Sequence, residues 1–502
     1  MKCSRNRILG QRPRQTAWLG WLLAMASLQF TGCTVGPKYH PPVVPAPPAY
    51  KELGDWKPAQ PNDQNLGGSW WTIFQDPQLD ALELQVNVSN QNLKAAEAQF
   101  RQARAALRYS RADYYPTVTA APSATRTRVS ANRPPPNSIF NGITYNDFVL
   151  PFDISYQADV WGRVRRNVES YREQAQASAA DLATVNLSMH ADLAVDYLQA
   201  RSLDAQEQLL NSTAKQYEQA LELTQSRFDG GIASEVEVEQ AKTQLQTTRA
   251  AALDVGVLRA QYEHAVAILI GKPPAEFSLP PLPLTAPPPR VPVSVPSDLL
   301  ERRPDIAASE RRVAAANAQI GVAKSAYYPV FSLGATGGFE SSAITTLLNG
   351  PSGLWSVGLS AVGTVFDGGR RRSLNDQARA AYDYQVAAYR QSVLNGFQQV
   401  EDNLAAVRIL ENEAKVQDEA VVAAQRSLDL SVTRYKGGVT SYLEVITAQS
   451  AALADEVTAV NILGRRMANT VLLIQALGGG WDRSSLPERP ECCGKISSSG
   501  QN

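Results

Sequence analysis

The fold is decided by a stretch that occurs twice, first as Arg227-Phe228-Asp229-Gly230-Gly231-Ile232-Ala233-Ser234-Glu235-Val236-Glu237-Val238 and again as Arg434-Tyr435-Lys436-Gly437-Gly438-Val439-Thr440-Ser441-Tyr442-Leu443-Glu444-Val445. The copies are offset by 207 residues, and this offset also superposes Gly162-Arg163 on Gly369-Arg370 and Gly271 on Gly478. Upstream, Tyr114-Tyr115-Pro116 recurs as Tyr327-Tyr328-Pro329 with an offset of 213 residues. The chain is therefore one structural unit written twice, and a loop between these landmarks accounts for the difference in offset.

Each copy contains a long helical hairpin. Proline is absent from Gly162 to Phe228 and from Gly369 to Tyr435, and a helix of ~67 residues is about 100 Å long. Apolar residues spaced alternately four and three apart indicate coiled-coil packing: Val393, Phe397, Val400, Leu404 and Val407, with Leu193, Tyr197 and Ala200 one repeat earlier. Each of these long helices, here called rods, ends at Gly-Gly. The capping boxes Ser234-x-x-Glu237 and Ser441-x-x-Glu444 then each begin a return helix, and the two return helices end at Gly271 and Gly478.

Ahead of each rod the sequence alternates like a strand hairpin, at about 117–160 and 330–366. One face of the returning first-copy strand carries Phe148, Leu150, Phe152, Ile154 and Tyr156, and one face of the returning second-copy strand carries Trp355, Val357, Leu359, Ala361, Gly363 and Val365. Such alternation over ~10 residues is typical of a membrane barrel. A half-buried soluble hairpin gives the same pattern, and the pattern alone favours that interpretation.

The N-terminus predicts a lipoprotein signal peptide over residues 1–32. Five basic residues precede a short apolar run, and Phe30-Thr31-Gly32-Cys33 resembles a lipobox whose cysteine receives the lipid. Ordinary cleavage that leaves a free thiol at Cys33 is the alternative. Residues 33–70 are rich in proline and predict an extended, lipidated tether. No later segment has 18 uninterrupted apolar residues, so no transmembrane helix is expected.

The composition argues against an enzyme and against a nucleic-acid partner. Without residues 1–32 the chain has 43 basic and 48 acidic side chains, and no basic tract remains. The cysteines, Cys3, Cys33, Cys492 and Cys493, form no C-x-x-C pair. Of the three histidines, His190 and His264 lie on predicted helices and are expected to be packing or lumen residues. No cofactor or metal site is predicted.

The repeats set the expected domain organisation. The first repeat covers 71–271, with a helical hairpin over 162–271, and begins a helix at Asp76-Pro77. A Pro-rich linker covers 272–296. The second repeat covers 297–481, with a helical hairpin over 369–478, and Pro304 divides its first helix. A flexible tail is expected over 482–502.

The long rods favour a membrane tube over the soluble hairpin that the strand pattern alone indicates. Four strands per chain cannot close a barrel, since the smallest membrane barrels have about eight. An open sheet edge in lipid leaves amides without partners, so closure requires several copies. Two chains would give eight strands and a filled interior, whereas three would give twelve and a water-filled bore. The expected fold is an α+β membrane protein with an internal twofold repeat.

Several motifs together resemble the TolC-like outer-membrane factors, in their branch of NodT-type efflux lipoproteins. These motifs are the twofold repeat, Gly32-Cys33-Thr34-Val35-Gly36-Pro37-Lys38-Tyr39, Ser297-Asp298-Leu299-Leu300-Glu301-Arg302-Arg303-Pro304-Asp305-Ile306, Phe366-Asp367-Gly368-Gly369-Arg370 and Ala476-Leu477-Gly478-Gly479-Gly480-Trp481. The resemblance implies a homotrimer whose twelve-stranded outer-membrane β-barrel continues into a periplasmic α-helical barrel. It also implies a Gram-negative outer-membrane location and a lipid anchor.

The resemblance further implies passive conduction in a tripartite efflux system, with a periplasmic adaptor and an inner-membrane pump, commonly of the resistance-nodulation-division type. A periplasmic adaptor or a structural coiled-coil lipoprotein is the alternative, since adaptors also have long helical hairpins. Two alternating strand pairs per chain favour the channel. The sequence leaves open which compounds pass and which pump is the partner.

Two groups of residues are the candidate functional sites. The helix-turn tips resemble the ends that meet the adaptor, although plain turn chemistry accounts for the same residues: Arg227, Phe228, Gly230, Gly231, Ser234, Arg434, Tyr435, Gly437, Gly438 and Ser441. Beside them, Glu237 and Glu444 are candidates for a closed periplasmic aperture, where a carboxylate ring would repel anions. For Glu444, completion of its capping box is the equal alternative.

Overall fold

The structure, a computed structural model, describes residues 34–45, 47–53, 68–132, 142–291 and 299–487. The predicted signal peptide, Cys33 and the cysteines of the tail lie outside these residues. The chain forms a sheet unit from the described part of Met1–Tyr39, Leu107–Ser170 and Ala316–Ala381, and a helical unit from His40–Ala106, Tyr171–Ala315 and the described part of Tyr382–Asn502. Within the described ranges, no helix is both long and apolar enough to cross a bilayer.

The elements follow the twofold repeat. The helices are α1 (Pro77–Ser89), α2 (Gln91–Ala112), α3 (Arg163–Asp229), α4 (Glu235–Leu269), α5 (Leu299–Arg302), α6 (Pro304–Ser325), α7 (Arg370–Lys436) and α8 (Tyr442–Ala476). The strands are β1 (Thr117–Ala120), β2 (Ser123–Arg128), β3 (Thr144–Ala158), β4 (Val330–Ser341) and β5 (Gly353–Val362). The predicted helix start at Asp76-Pro77 is confirmed, because the Asp76 carboxylate accepts from the Gln78 amide at 2.9 Å. The predicted break at Pro304 is also confirmed, since this residue separates α5 from α6.

The sheet unit contains one antiparallel sheet in the order β1-β3-β4-β5, with β2 also paired to β3. The register aligns the apolar residues of neighbouring strands: Phe152 lies opposite Gly337, which lies opposite Trp355, and Ile154 lies opposite Ala335, which lies opposite Val357. Because side chains alternate between faces, one face is continuously apolar. Its side chains are exposed or half-buried in the single chain, with Trp355 81% and Leu359 72% accessible.

Two details of the strands differ from the prediction. The outgoing first-copy strand is broken between β1 and β2, because Pro122 has no amide hydrogen for the ladder. β5 ends at Val362, whose partner is Val330. The predicted continuation through Gly363 and Val365 is therefore wrong, and Pro329 explains it, since proline again cannot pair.

The two rods are confirmed. Helices α3 and α7 each contain 67 residues, which makes each about 100 Å long. The apolar residues predicted at coiled-coil spacing, here called the seam residues, are buried or half-buried. Those of both copies join one core in the helical unit: Leu193, Tyr197, Ala200, Phe397, Val400, Leu404 and Val407. The seams thus hold the two repeats together.

Equivalent positions in the two repeats close the ends of the return helices. The Asn90 side chain donates to the Leu269 carbonyl at 2.8 Å, and Arg303, offset by 213 residues from Asn90, donates to the Ala476 carbonyl at 2.9 Å. Just beyond those carbonyls, Gly271 and Gly478 have φ of +71° and +95°. A Cβ on either glycine would overlap a backbone carbonyl, that of Ser89 or Arg302. In each repeat, the residues just before α2 or α6 therefore pack directly against the glycine that follows the return helix.

His190 is a packing residue, as predicted. His264 is exposed in the single chain, so that it does not pack there and its position in a lumen stays a prediction. The imidazole stacks on Trp71 at 4.5 Å, and its Nδ1 lies 2.5 Å from the Glu83 carboxyl. Burial raises the pKa of Glu83 to about 9, with a contribution from Asp80, and lowers the pKa of His190 to about 4. At neutral pH the pair is therefore uncharged, and one proton is shared in a buried hydrogen bond.

The predicted tether and tail are each held at particular points, although most described side chains from 38 to 49 are exposed. In the helical unit the Glu401 carboxylate accepts from the Lys51 amide at 2.7 Å and from the Glu52 amide at 2.9 Å. The expectation that the tail is flexible from 482 onward is wrong for 482–487, because the Asp482 side chain accepts from the Ser484 amide and Leu486 packs against buried alanines of the helical core.

We predict that Gly478→Ala lowers the melting temperature of the folded protein. The alanine must adopt a left-handed conformation and displace the Arg302 carbonyl, which costs more than about 1 kcal/mol. Gly256→Ala is the matched control, since Gly256 lies inside α4 with open space at its Cβ position and alanine is the better helix former. Thermal denaturation followed by circular dichroism makes the comparison, and equal melting temperatures would refute the role of Gly478.

Candidate functional site

The two helix-turn tips have the same backbone closure. At the first tip the Ile232 amide donates to the Arg227 carbonyl at 2.8 Å and Gly231 has φ of +70°. At the second, the Val439 amide donates to the Arg434 carbonyl at 3.0 Å and Gly438 has φ of +71°. This is the Schellman closure, in which a left-handed glycine lets the chain turn back and satisfies the last carbonyls of the helix.

The side chains make the two tips different. The Arg227 guanidinium lies 4.6 Å from the centroid of the Tyr435 ring and donates to the Tyr435 carbonyl at 3.2 Å. Tyr435 in turn packs against Tyr442 at 5.2 Å, and both tyrosines are buried with Val445. Burial, followed by the neighbouring Tyr435, raises the pKa of Tyr442 to about 12. The first tip is therefore fastened to the second by a cation held over an aromatic ring.

The predicted capping boxes are wrong in their side chains. Ser234 and Ser441 are the N-cap residues of α4 and α8, but neither side chain makes a capping hydrogen bond. The Glu444 carboxylate instead lies 3.8 Å from the Arg434 guanidinium, with half of its side chain exposed. The tight glycine turn explains this, since it returns Glu444 beside a cation. Glu237 is half-buried.

Behind the tips, α4 and α8 border an apolar groove with a volume of about 550 Å³. Its lining includes Val236, Leu443 and Ile446, flanked by Glu235 and Glu239. Val236 is 64% and Leu443 57% accessible. The two residues occupy equivalent positions, each shortly after the glycine turn of its own repeat. Two equivalent exposed apolar side chains beside a rigid turn form a surface suited to a helical partner.

In the sheet unit, the second face of the sheet is polar. The residues that lie opposite one another across it include Thr119, Asp153, Thr336 and Ser356. The Thr336 hydroxyl donates to the Asp153 carboxylate at 2.6 Å. A sheet that is apolar on one face and polar on the other has the pattern of a barrel wall between lipid and water.

The sequence profile of the outer membrane efflux protein family matches residues 84–272 and again residues 295–479. The chain belongs to this family. The two separate matches correspond to the two repeats, and together they cover more than half of the chain.

Individual relatives agree with this assignment. The chain is 31% identical to the probable efflux pump outer membrane protein SepC of Pseudomonas putida, over 93% of this chain and 98% of SepC. It is 28% identical to the cation efflux system protein CusC of Escherichia coli K12, over 90% of this chain and 98% of CusC. The solved outer-membrane channel OprN superposes with a TM-score of 0.84 at 28% identity, over 89% of this chain and all of OprN.

The chain is therefore the outer-membrane channel component of an efflux pump, located in the outer membrane of Gram-negative bacteria and extending into the periplasm. Its fold is that of the TolC-like channels, with a β-barrel part and a helical-barrel part. Channels of this family conduct rather than catalyse, and they work with an adaptor and an inner-membrane pump. The alternative of a periplasmic adaptor or a structural lipoprotein is thus wrong.

Sequence reasoning located the tips but missed the groove and the fastening between them. The second tip alone carries the aromatic pair Tyr435 and Tyr442, where the first has Phe228 and Glu235. That difference within an otherwise matching repeat is the signal that could have identified the asymmetry. The exposed pair Val236 and Leu443 could have been found in the same way, as apolar residues at matching positions.

Proposed function

We propose that three copies of the chain form a duct that conducts substrates passively out of the cell. The energy for export comes from an inner-membrane pump of the resistance-nodulation-division type. The observation that carries this proposal is that the sheet formed by the described residues has two open edges, β1/β2 and β5. In lipid these edges need strand partners, and twelve strands leave room for a water-filled bore. We further propose that Cys33 carries the lipid anchor.

We propose that the helix tips and the groove behind them receive the adaptor. The tip residues hold the turns rigid, and Val236 and Leu443 offer the apolar contact. The acidic residues Glu235 and Glu239 at the groove favour an adaptor surface with basic residues at its rim. A rigid apolar groove with a charged border is the arrangement that an amphipathic helical hairpin fits.

We propose that Glu444 and Glu237 border the closed periplasmic aperture. Glu444 lies on α8 beside the turn, and Arg434 is its only neutralising partner among the described residues. Because this pair is half exposed, it contributes little to stability and is free to break. In a trimer the three carboxylates would surround the axis and favour cations. Adaptor binding at the tips would open the aperture by moving the helical hairpins apart.

We predict that Glu444→Ala raises single-channel conductance in planar bilayers several-fold and makes the channel less selective for cations, because a ring of charge and bulk is removed. Reversal potentials measured in a salt gradient report the selectivity. Glu411→Ala is the control, since Glu411 is also about half exposed and pairs with Lys415 on α7. If Glu444→Ala behaves like Glu411→Ala in both measurements, the aperture assignment fails.

We predict that a photo-crosslinking amino acid at position 236 or 443 captures the helical hairpin of a periplasmic adaptor in living cells, because the groove is the docking surface. The same amino acid at Val416, an equally exposed residue of α7, serves as the control and should give no adaptor adduct. Mass spectrometry of the crosslinked peptides identifies the partner. Adducts from 236 and 443 that contain only this chain would assign the groove to contacts between copies.

A further inference from the structure

The apolar face of the sheet has a sharp outer boundary. Along β3 it runs from Ala158 to Phe148, which is ~33 Å of strand and about 25 Å of membrane depth at the usual tilt. The ends of the strands near Ala158 lead into the helices of the periplasmic part. The ends near Phe148 lead into the hairpin loops, so this boundary lies in the outer leaflet.

Directly beyond the boundary, the same face becomes basic. Ala124 lies opposite Phe148 in the last apolar row, Arg126 lies opposite Asn146 in the next, and Arg128 lies opposite Thr144 in the one after. Because alternate residues share a face, both arginines lie on the lipid-facing side. They follow the apolar band by ~7 and ~13 Å along the strand, or ~5 and ~10 Å of depth at the same tilt, which places them at the headgroup layer.

The acidic residues of the strands lie on the opposite face. Asp147 is opposite Thr125, Glu340 is opposite Val149, and Asp153 is opposite Thr119. Both arginines are exposed. Their backbones pair with β3, but neither guanidinium makes an ion pair or a hydrogen bond with another described residue. The sheet therefore separates its charges, with bases toward the lipid and acids toward the bore.

We propose that Arg126 and Arg128 bind the phosphate groups of lipopolysaccharide, the phosphorylated glycolipid of the outer leaflet. A guanidinium matches a phosphate with two parallel hydrogen bonds, and neighbouring rows allow both arginines to reach one headgroup. An arginine costs little at the membrane interface but several times more at the midplane, which agrees with their position just outside the apolar band. Asn146 and Thr144 opposite them supply further hydrogen-bonding groups.

The test measures lipopolysaccharide bound to the full-length, detergent-purified channel by native mass spectrometry. Wild-type protein is titrated with phosphorylated lipopolysaccharide and with the same lipid after enzymatic dephosphorylation. We expect binding to weaken about tenfold in Arg126→Gln/Arg128→Gln and to a similar degree for the dephosphorylated lipid, since charge-assisted hydrogen bonds are lost in both cases. Arg126→Lys/Arg128→Lys should retain part of the affinity.

The control is Arg101→Gln/Arg108→Gln, which removes two exposed arginines from α2 and should bind like wild type. Unchanged binding by Arg126→Gln/Arg128→Gln would overturn the proposal. So would equal wild-type affinity for the phosphorylated and dephosphorylated lipids, a comparison that needs no variant to fold. Equal loss in the control and the test variant would show a general charge effect and would also overturn it.

Discussion

The structure depends on the backbone hydrogen bonds at the two edges of its sheet. β3 and β4 lie inside the sheet, whereas β1/β2 and β5 each have one side without a strand partner among the described residues. Water can satisfy such groups, but hydrocarbon cannot. The exposed apolar face places these edges in hydrocarbon. A single chain therefore cannot close a barrel, and the proposed duct requires further copies of the chain to supply the missing strand partners.

The helical unit is held together by a core that the two repeats share and by matching contacts at the ends of the return helices. The seams of both repeats share one core, and the ends of both return helices are closed by equivalent contacts, from Asn90 to Leu269 and from Arg303 to Ala476. Different side chains perform the same task at equivalent positions. The duplication has therefore preserved the geometry of this junction rather than its residues, while the tips have diverged to produce the fastening of Arg227 to Tyr435.

Much of this architecture could be predicted from the sequence, because it rests on periodicity and on glycine and proline. The rods, the seam and the strand faces depend on spacing, and spacing is visible in a single sequence. The side-chain partners of the capping residues were not predictable in this way. Ser441 and Glu444 have the spacing of a capping box, yet Glu444 pairs with Arg434 instead, and only the folded turn brings that cation near. Pro122 and Pro329 gave local signals for the strand ends, but alternation beyond them concealed the interruption.

Hydrogen–deuterium exchange of β5, Gly353–Val362, in the detergent-purified channel tests closure most directly. In an antiparallel sheet alternate residues bond to opposite neighbours, so an open edge protects only about half of the amides of this strand. If copies of the chain close the barrel, nearly all of its amides should exchange as slowly as those of β3. Protection of only the half that faces β4, in a stable single chain, would contradict the account.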